Sequence, residues 1–180
     1  MFNPFFKNTG PHDINFLLEA VNLKKDNLPN DKVTDIKDLN SSQKNEITFF
    51  HSKKYTDLAK KTKASYCLTS ENFKSFLPKD CKAIITNQVL LHTAQITKIF
   101  YPSSITDDHD NTVKDINDTE LKEKVEFGKN VLIGENVKIG ANCLIGHNSI
   151  IEKNVEIGDN CSIGSNVIIR NSLIKNNVHI

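Results

Sequence analysis

The chain has 180 residues, a formal net charge of +1 and 38% hydrophobic residues, which suits a soluble globular protein of one domain or two small ones. Near-neutrality excludes the basic face that nucleic acid or an anionic membrane surface calls for, so neither partner is expected. No apolar run approaches the ~18 residues needed to cross a bilayer, and segment 1–11 lacks a basic stretch followed by a continuous apolar one, which predicts a cytoplasmic protein with no transmembrane segment.

In chain order, Ile14, Leu17, Leu18 and Val21 form a helical stripe behind Asp13, a plausible N-cap. Strand-like runs follow at Glu46–Phe50, Ser65–Thr69 and Ala83–Thr86, with helical stretches at Tyr55–Lys61 and Asn87–Phe100 between and after them. Together these predict a small α/β domain over 1–102. Apolar periodicity is then lost, and residues 103–120 read as a polar linker. Within it, Asp107, Asp108, His109 and Asp110 resemble a metal cluster. Four adjacent ligands on a polar segment rarely impose metal geometry, so a solvated charge run is expected and no metal is assigned. Cys67, Cys81, Cys143 and Cys161 show neither a CxxC pair nor finger spacing, and are expected to be reduced and structural. Only Arg170 is arginine among 23 basic residues, a coding bias that says little about function.

From 121 to 180 one hexapeptide recurs. Phe127, Ile133, Ile139, Ile145, Ile151, Ile157, Ile163 and Ile169 lie six apart; glycine follows most of them, and Asn stands three places on at Asn130, Asn136, Asn142, Asn148, Asn154, Asn160 and Asn166. Tight corners need residues that tolerate positive φ, and Asn is the commonest non-glycine choice. The next position is small or β-branched, as in Val131, Cys143 and Cys161. A period of six does not fit a helix, whereas three hexapeptides make a coil of 18 residues, which stacks Cys143 on Cys161 and sets Ile145 between Phe127 and Ile163. The frame slips once between Ile169 and Ile174, predicting a shortened corner, and resumes with Asn177 and Val178. Ile180 leads a repeat that does not follow, which reads as an amino-terminal fragment of a longer solenoid.

FFKNTGP near the start, EITFFHSKKY at Glu46–Tyr55, TKASYCL and the KIFYP ending at Pro102, followed by hexapeptides, resemble the UDP-3-O-acylglucosamine N-acyltransferases of lipid A biosynthesis. The resemblance implies an α/β uridine-binding domain followed by a left-handed parallel β-helix. It also implies transfer of a 3-hydroxyacyl chain from acyl carrier protein to the 2-amino group of UDP-3-O-acylglucosamine. No tightly bound cofactor is implied, and the full-length family member is a homotrimer. In that family the base lies between two rings of an F-x-x-N-x-x-Y segment. Phe49 and Tyr55 match the rings, while Ser52 stands where the family has Asn. The family's Pro after Asn87-Gln88 is also missing, Val89 standing there instead.

The family's histidine general base belongs to later coils, so no catalytic residue is expected within these 180 residues and the fragment is expected to be inactive. His147, in LIGHNSII, sits too early and is expected at a solvated corner; His179 faces outward by frame. Two other readings stay open: a different hexapeptide acyltransferase with a fused binding domain, and a non-catalytic β-solenoid used for assembly. From spacing alone, Phe49 and Tyr55 read as core residues of a strand and the helix after it.

Overall fold

In the computed structural model of the protein, which describes residues 3–24, 30–106 and 108–180, the chain divides between Thr106 and Asp107. In the first unit, strand β1 (His12–Asp13) leads directly into helix α1 (Ile14–Ala20). The Asp13 carboxylate accepts the Asn15 N–H at 2.8 Å, so the predicted cap is formed. Strand β2 (Lys32–Val33) pairs antiparallel with β1. Four parallel strands then lie side by side in chain order: β3 (Asp35–Ile36), β4 (Glu46–Phe50), β5 (Tyr66–Thr69) and β6 (Lys82–Ile85).

A parallel sheet needs cover on both faces. On one face Ile14, Leu17 and Leu18 of α1, with Val89, Ile96 and Phe100 of helix α3 (Val89–Phe100), meet Ile47, Tyr66, Leu68 and Ile84. On the other face Phe50 and Cys67 pack with Leu39, Ala59, Ala64 and Cys81, roofed by Phe73, Phe76 and Leu77. Alternation along β4 sends Ile47 and Phe49 to the first face and Phe50 to the second. The predicted helix at Tyr55–Lys61 is a 3-10 turn, Lys53–Tyr55, running into the one-turn helix α2 (Thr56–Ala59). Helix α3 starts two residues later than predicted, because the Thr86 hydroxyl takes the Gln88 N–H at 3.0 Å and holds that residue outside the helix.

The second unit is a parallel β-helix of two-residue strands: β7 (Lys114–Asp115), β8 (Glu126–Phe127), β9 (Leu132–Ile133), β10 (Lys138–Ile139), β11 (Leu144–Ile145), β12 (Ile150–Ile151), β13 (Glu156–Ile157), β14 (Ser162–Ile163), β15 (Ile168–Ile169) and β16 (Leu173–Ile174). They stack as three sheets, β8-β11-β14, β7-β9-β12-β15 and β10-β13-β16. Ile145 pairs with Phe127 on one side and Ile163 on the other, as the 18-residue coil predicts. The slip is absorbed at the corner holding Asn171: Ile157 pairs with Ile174, one residue short of a full coil.

All seven Asn of the repeat take positive φ between 55° and 61°, and Asn171 and Asn177 are also at positive φ, 49° and 61°. Their side chains add a second reason for Asn. Asn130 Nδ2 donates to Asn148 Oδ1 at 3.0 Å, and Asn148 to Asn166 at 3.3 Å, forming a ladder up the corner. The repeat glycines serve a different purpose, since no described glycine has positive φ. A Cβ at Gly146 would lie 2.4 Å from the Ser165 backbone nitrogen, so the next coil passes too closely for any side chain. The residue between Gly and Asn also takes part in the corner. Its N–H is accepted by the equivalent side chain one coil on: Ala141 by Asp159 Oδ1 at 2.8 Å, His147 by Ser165 Oγ at 3.0 Å, and Asp159 by Asn176 Oδ1 at 3.0 Å.

Ile139 is half-buried, β10 being the edge of its sheet with a coil on one side only. One sequence expectation needs correction. The stretch 103–120 is not a solvated linker throughout. β7 pairs antiparallel with β9, Ile116 is fully buried against Val131 and Val125, and 3-10 turns at Ile116–Asp118 and Glu120–Glu123 close the first coil. Backbone pairing, with one apolar side chain inserted over the stacked core, lets an almost wholly polar segment act as a cap.

Candidate functional site

At the carboxyl ends of β3 and β4 lies a cavity of about 260 Å³, lined by Asp38, Leu39, Phe49, His51, Tyr55 and Leu58. The carboxyl ends of parallel strands are where open α/β sheets take ligands, because the connecting loops diverge there and leave a crevice. Phe49 is the penultimate residue of β4; half-buried, it rests on the first core with one side turned to the cavity. The chain then turns through His51 and Ser52 into the 3-10 turn that presents Tyr55, followed by Leu58 of α2.

The three rings form a continuous wall. The Phe49 and His51 centroids are 6.1 Å apart with 25° between planes, and those of His51 and Tyr55 are 5.8 Å apart at 46°. Lys54 Nζ lies 5.8 Å from the Tyr55 centroid. Asp38, the one carboxylate in the lining, is engaged by its own turn: it accepts the Ser41 hydroxyl, the Asn40 N–H at 2.8 Å and the Ser41 N–H at 3.0 Å. These bonds, the Ser41 hydroxyl first, hold its carboxyl below the usual carboxylate range against the opposing effect of burial. The lining is therefore apolar and aromatic with one fixed anion, chemistry that suits an uncharged planar ring and disfavours a phosphate.

Phe49 and Tyr55 thus meet around one cavity. Ser52 does not line it; half-buried at the head of the turn, it accepts the Tyr55 N–H at 3.0 Å through its carbonyl. His51, Asp38, Leu39 and Leu58 were not singled out by sequence. An exposed His and Leu beside two matched rings carry no periodic signal, and Asp38 comes from a different strand end.

The remaining sequence candidates are structural in their contacts. His147 is exposed at a coil corner, and its Nδ1 accepts the Lys129 N–H at 2.7 Å, the same corner bond that Asp159 and Asn176 make elsewhere. His179 is exposed and bridges to Ser162. In the run Asp107–Asp110, Asp107 lies outside the described residues, and Asp110 is not solvated: it is buried and accepts the Thr112 N–H at 2.9 Å and the Lys153 N–H at 2.7 Å. Among the described residues no group of three or more His, Cys, Asp or Glu side chains is placed to hold a metal ion. No helix among them is long and apolar enough to cross a membrane. All four cysteines are free and buried; Cys143 and Cys161 each donate to a carbonyl of the next coil, Gly158 and Lys175, at 3.1 Å.

Residues 31–99 match the family profile described as UDP-3-O-(3-hydroxymyristoyl) glucosamine N-acyltransferase, and residues 136–171 match the profile of bacterial transferase hexapeptide repeats. No curated protein is matched by the chain. The first match covers the aromatic cavity and the second covers strands β10 to β15, so in its order of α/β domain then hexapeptide repeats the chain is similar to the UDP-3-O-acylglucosamine N-acyltransferases.

Proposed function

We propose that the 1–106 unit holds the uridine of UDP-3-O-acylglucosamine, with the base between Phe49 and Tyr55, in an enzyme that transfers a 3-hydroxyacyl chain from acyl carrier protein to the 2-amino group of that sugar in the cytoplasm. The observation that carries the proposal is the ring-lined cavity at the end of β4, inside the segment that matches the acyltransferase family. Stacking a base on aromatic side chains anchors a nucleotide without charge and contributes roughly 1–3 kcal/mol per base. The cavity suits the base and not the phosphates: its one charged wall is the Asp38 carboxylate, and the cation Lys54 stands beside Tyr55 outside the lining.

The test is calorimetric titration of the chain with UDP. Phe49→Ala and Tyr55→Ala should each weaken binding about tenfold or more while the thermal transition stays cooperative. Unchanged affinity in both variants would return the two rings to a packing role. A homotrimer belongs to the same proposal. One sheet of the β-helix turns an apolar ladder outward, Leu132, Ile150 and Ile168, the last 63% exposed, whereas another presents the Lys138–Glu156 ion pair. Sedimentation of wild type and Ile168→Lys tests the ladder as the packing face: a trimer lost in the variant supports it, and a trimer kept in the variant removes it.

A further inference from the structure

We infer that a second cavity, at the amino ends of β5 and β6, is a thiol-exchange site in which Cys81 takes up one half of a small acidic disulfide. This cavity, about 520 Å³, lies at the opposite end of the sheet from the aromatic one, and Lys44, Lys63, Ser65, Pro78, Asp80 and Cys81 stand in its walls. Of the four cysteines only Cys81 lines a cavity among the described residues. Cys67 is fully enclosed, and Cys143 and Cys161 are shut between coils with their thiols given to carbonyls. The turn before β6 holds Cys81 in place: its N–H is accepted by the Pro78 carbonyl at 3.0 Å, and Lys82 then enters the sheet by donating to the Ser65 carbonyl at 2.9 Å.

A second cysteine prepares the first. Cys67 pairs with Ala83, and Cys81, two residues before Ala83, lies on the same face of the sheet, so both thiols enter one core. The Cys67 thiol is the hydrogen-bond partner of Cys81, and its other acceptor, the Leu68 carbonyl, is at a long 3.6 Å. That bond holds the Cys81 thiol below its ordinary value of 9.0 against the opposing effect of burial, while the same bond and burial push Cys67 up. Since the thiolate and not the thiol attacks a disulfide, Cys81 is the nucleophile and Cys67 a positioning donor. In the exchange the Cys81 thiolate attacks one sulfur of R–S–S–R. A Cys81–S–S–R bond forms, the S–S bond of the reagent breaks, and RS⁻ leaves with the electron pair, so the incoming disulfide is the oxidant. Two cations in the lining, Lys44 and Lys63, outnumber the one carboxylate, Asp80, which favours a disulfide that carries carboxylates.

The experiment is reaction of the native chain with dithiobis(nitrobenzoate), a dianionic disulfide, followed by release of the coloured thiolate and by peptide mass spectrometry. One thiol should react at least about tenfold faster than the others, with the adduct on Cys81, and Cys81→Ser should lose that phase. Cys67→Ala should move the pH–rate profile of the fast phase to higher pH, whereas Cys67→Ser keeps a donor and should hold it. Replacing both Lys44 and Lys63 by Gln should slow the dianionic reagent several-fold and leave the neutral dithiodipyridine unaffected. A wild-type chain with no fast phase, or with its fast phase on Cys67, Cys143 or Cys161, overturns the inference. An unmoved profile in Cys67→Ala removes Cys67 from it, and equal rates for the lysine variant and wild type remove the preference for an acidic disulfide.

Discussion

The two units encode their folds in different ways. In the β-helix each residue meets its own equivalent one coil away, so the same four requirements recur: a large apolar residue inward, a glycine where the next coil passes, an Asn in the left-handed region, and a small residue after it. In the α/β unit each core gathers residues from unlike places, Phe100 at the end of α3 joining Ile47 of β4 in one cluster. The repetitive unit spreads its stability over identical layers. The other concentrates it in two separate cores, one on each face of the sheet, and places the cavity at a strand end where neither core is complete.

The largest expected effect is in the solenoid. Ile145 is fully buried between Phe127 and Ile163, and Ile145→Ala should cost about 2–5 kcal/mol in chemical denaturation, with the half-buried Ile139→Ala costing distinctly less. Equal losses would mean that position within the stack does not matter. Asp110 comes next. Asp110→Ala strips an acceptor from the Thr112 and Lys153 N–H groups and should cost about 1–3 kcal/mol. Burial pushes the Asp110 carboxyl up, but the bonds from Thr112 and Lys153 outweigh it and hold it below the ordinary value of 3.8. A depressed folded-state value means stability present above 3.8 and lost as pH falls through the lower folded value. Denaturation from neutral pH downwards should therefore converge for wild type and Asp110→Ala in acid. Parallel curves would remove Asp110 from the cap.

Legibility in the sequence followed the same division. A six-residue period is a direct image of an 18-residue coil, so strand positions, the stacking of Cys143 on Cys161 and the shortened corner could be read from spacing. The cap could not, because it depends on one buried residue, Ile116, and on backbone pairing that leaves no pattern in side chains. In the α/β unit the strands and the stripe Ile14, Leu17, Leu18 and Val21 were visible as local alternation and helical period. Phe49 and Tyr55 were visible through family resemblance, whereas Asp38 and Leu39 join the cavity through the pairing of β3 with β4, a contact that spacing does not encode.

Two smaller substitutions sharpen the contrast, since each removes a polar atom and they should act with opposite sign. His147 supplies an acceptor that the corner requires. His147→Ala should cost about 1 kcal/mol, and His147→Asp should restore most of it, because Asp159 performs the same task at the equivalent position one sheet away. An alanine variant as stable as wild type would free His147 from the corner. Thr48 is the reverse case. Its side chain is fully buried in β4 beside Phe49, and its hydroxyl has no hydrogen-bond partner among the described residues. A buried hydroxyl without a partner forfeits its hydration, whereas valine has nearly the same shape and nothing to desolvate. Thr48→Val should therefore leave stability unchanged or raise it by up to about 1 kcal/mol, measured as the shift in denaturation midpoint at constant slope. A loss of that size would mean that the hydroxyl is satisfied in solution by a bound water.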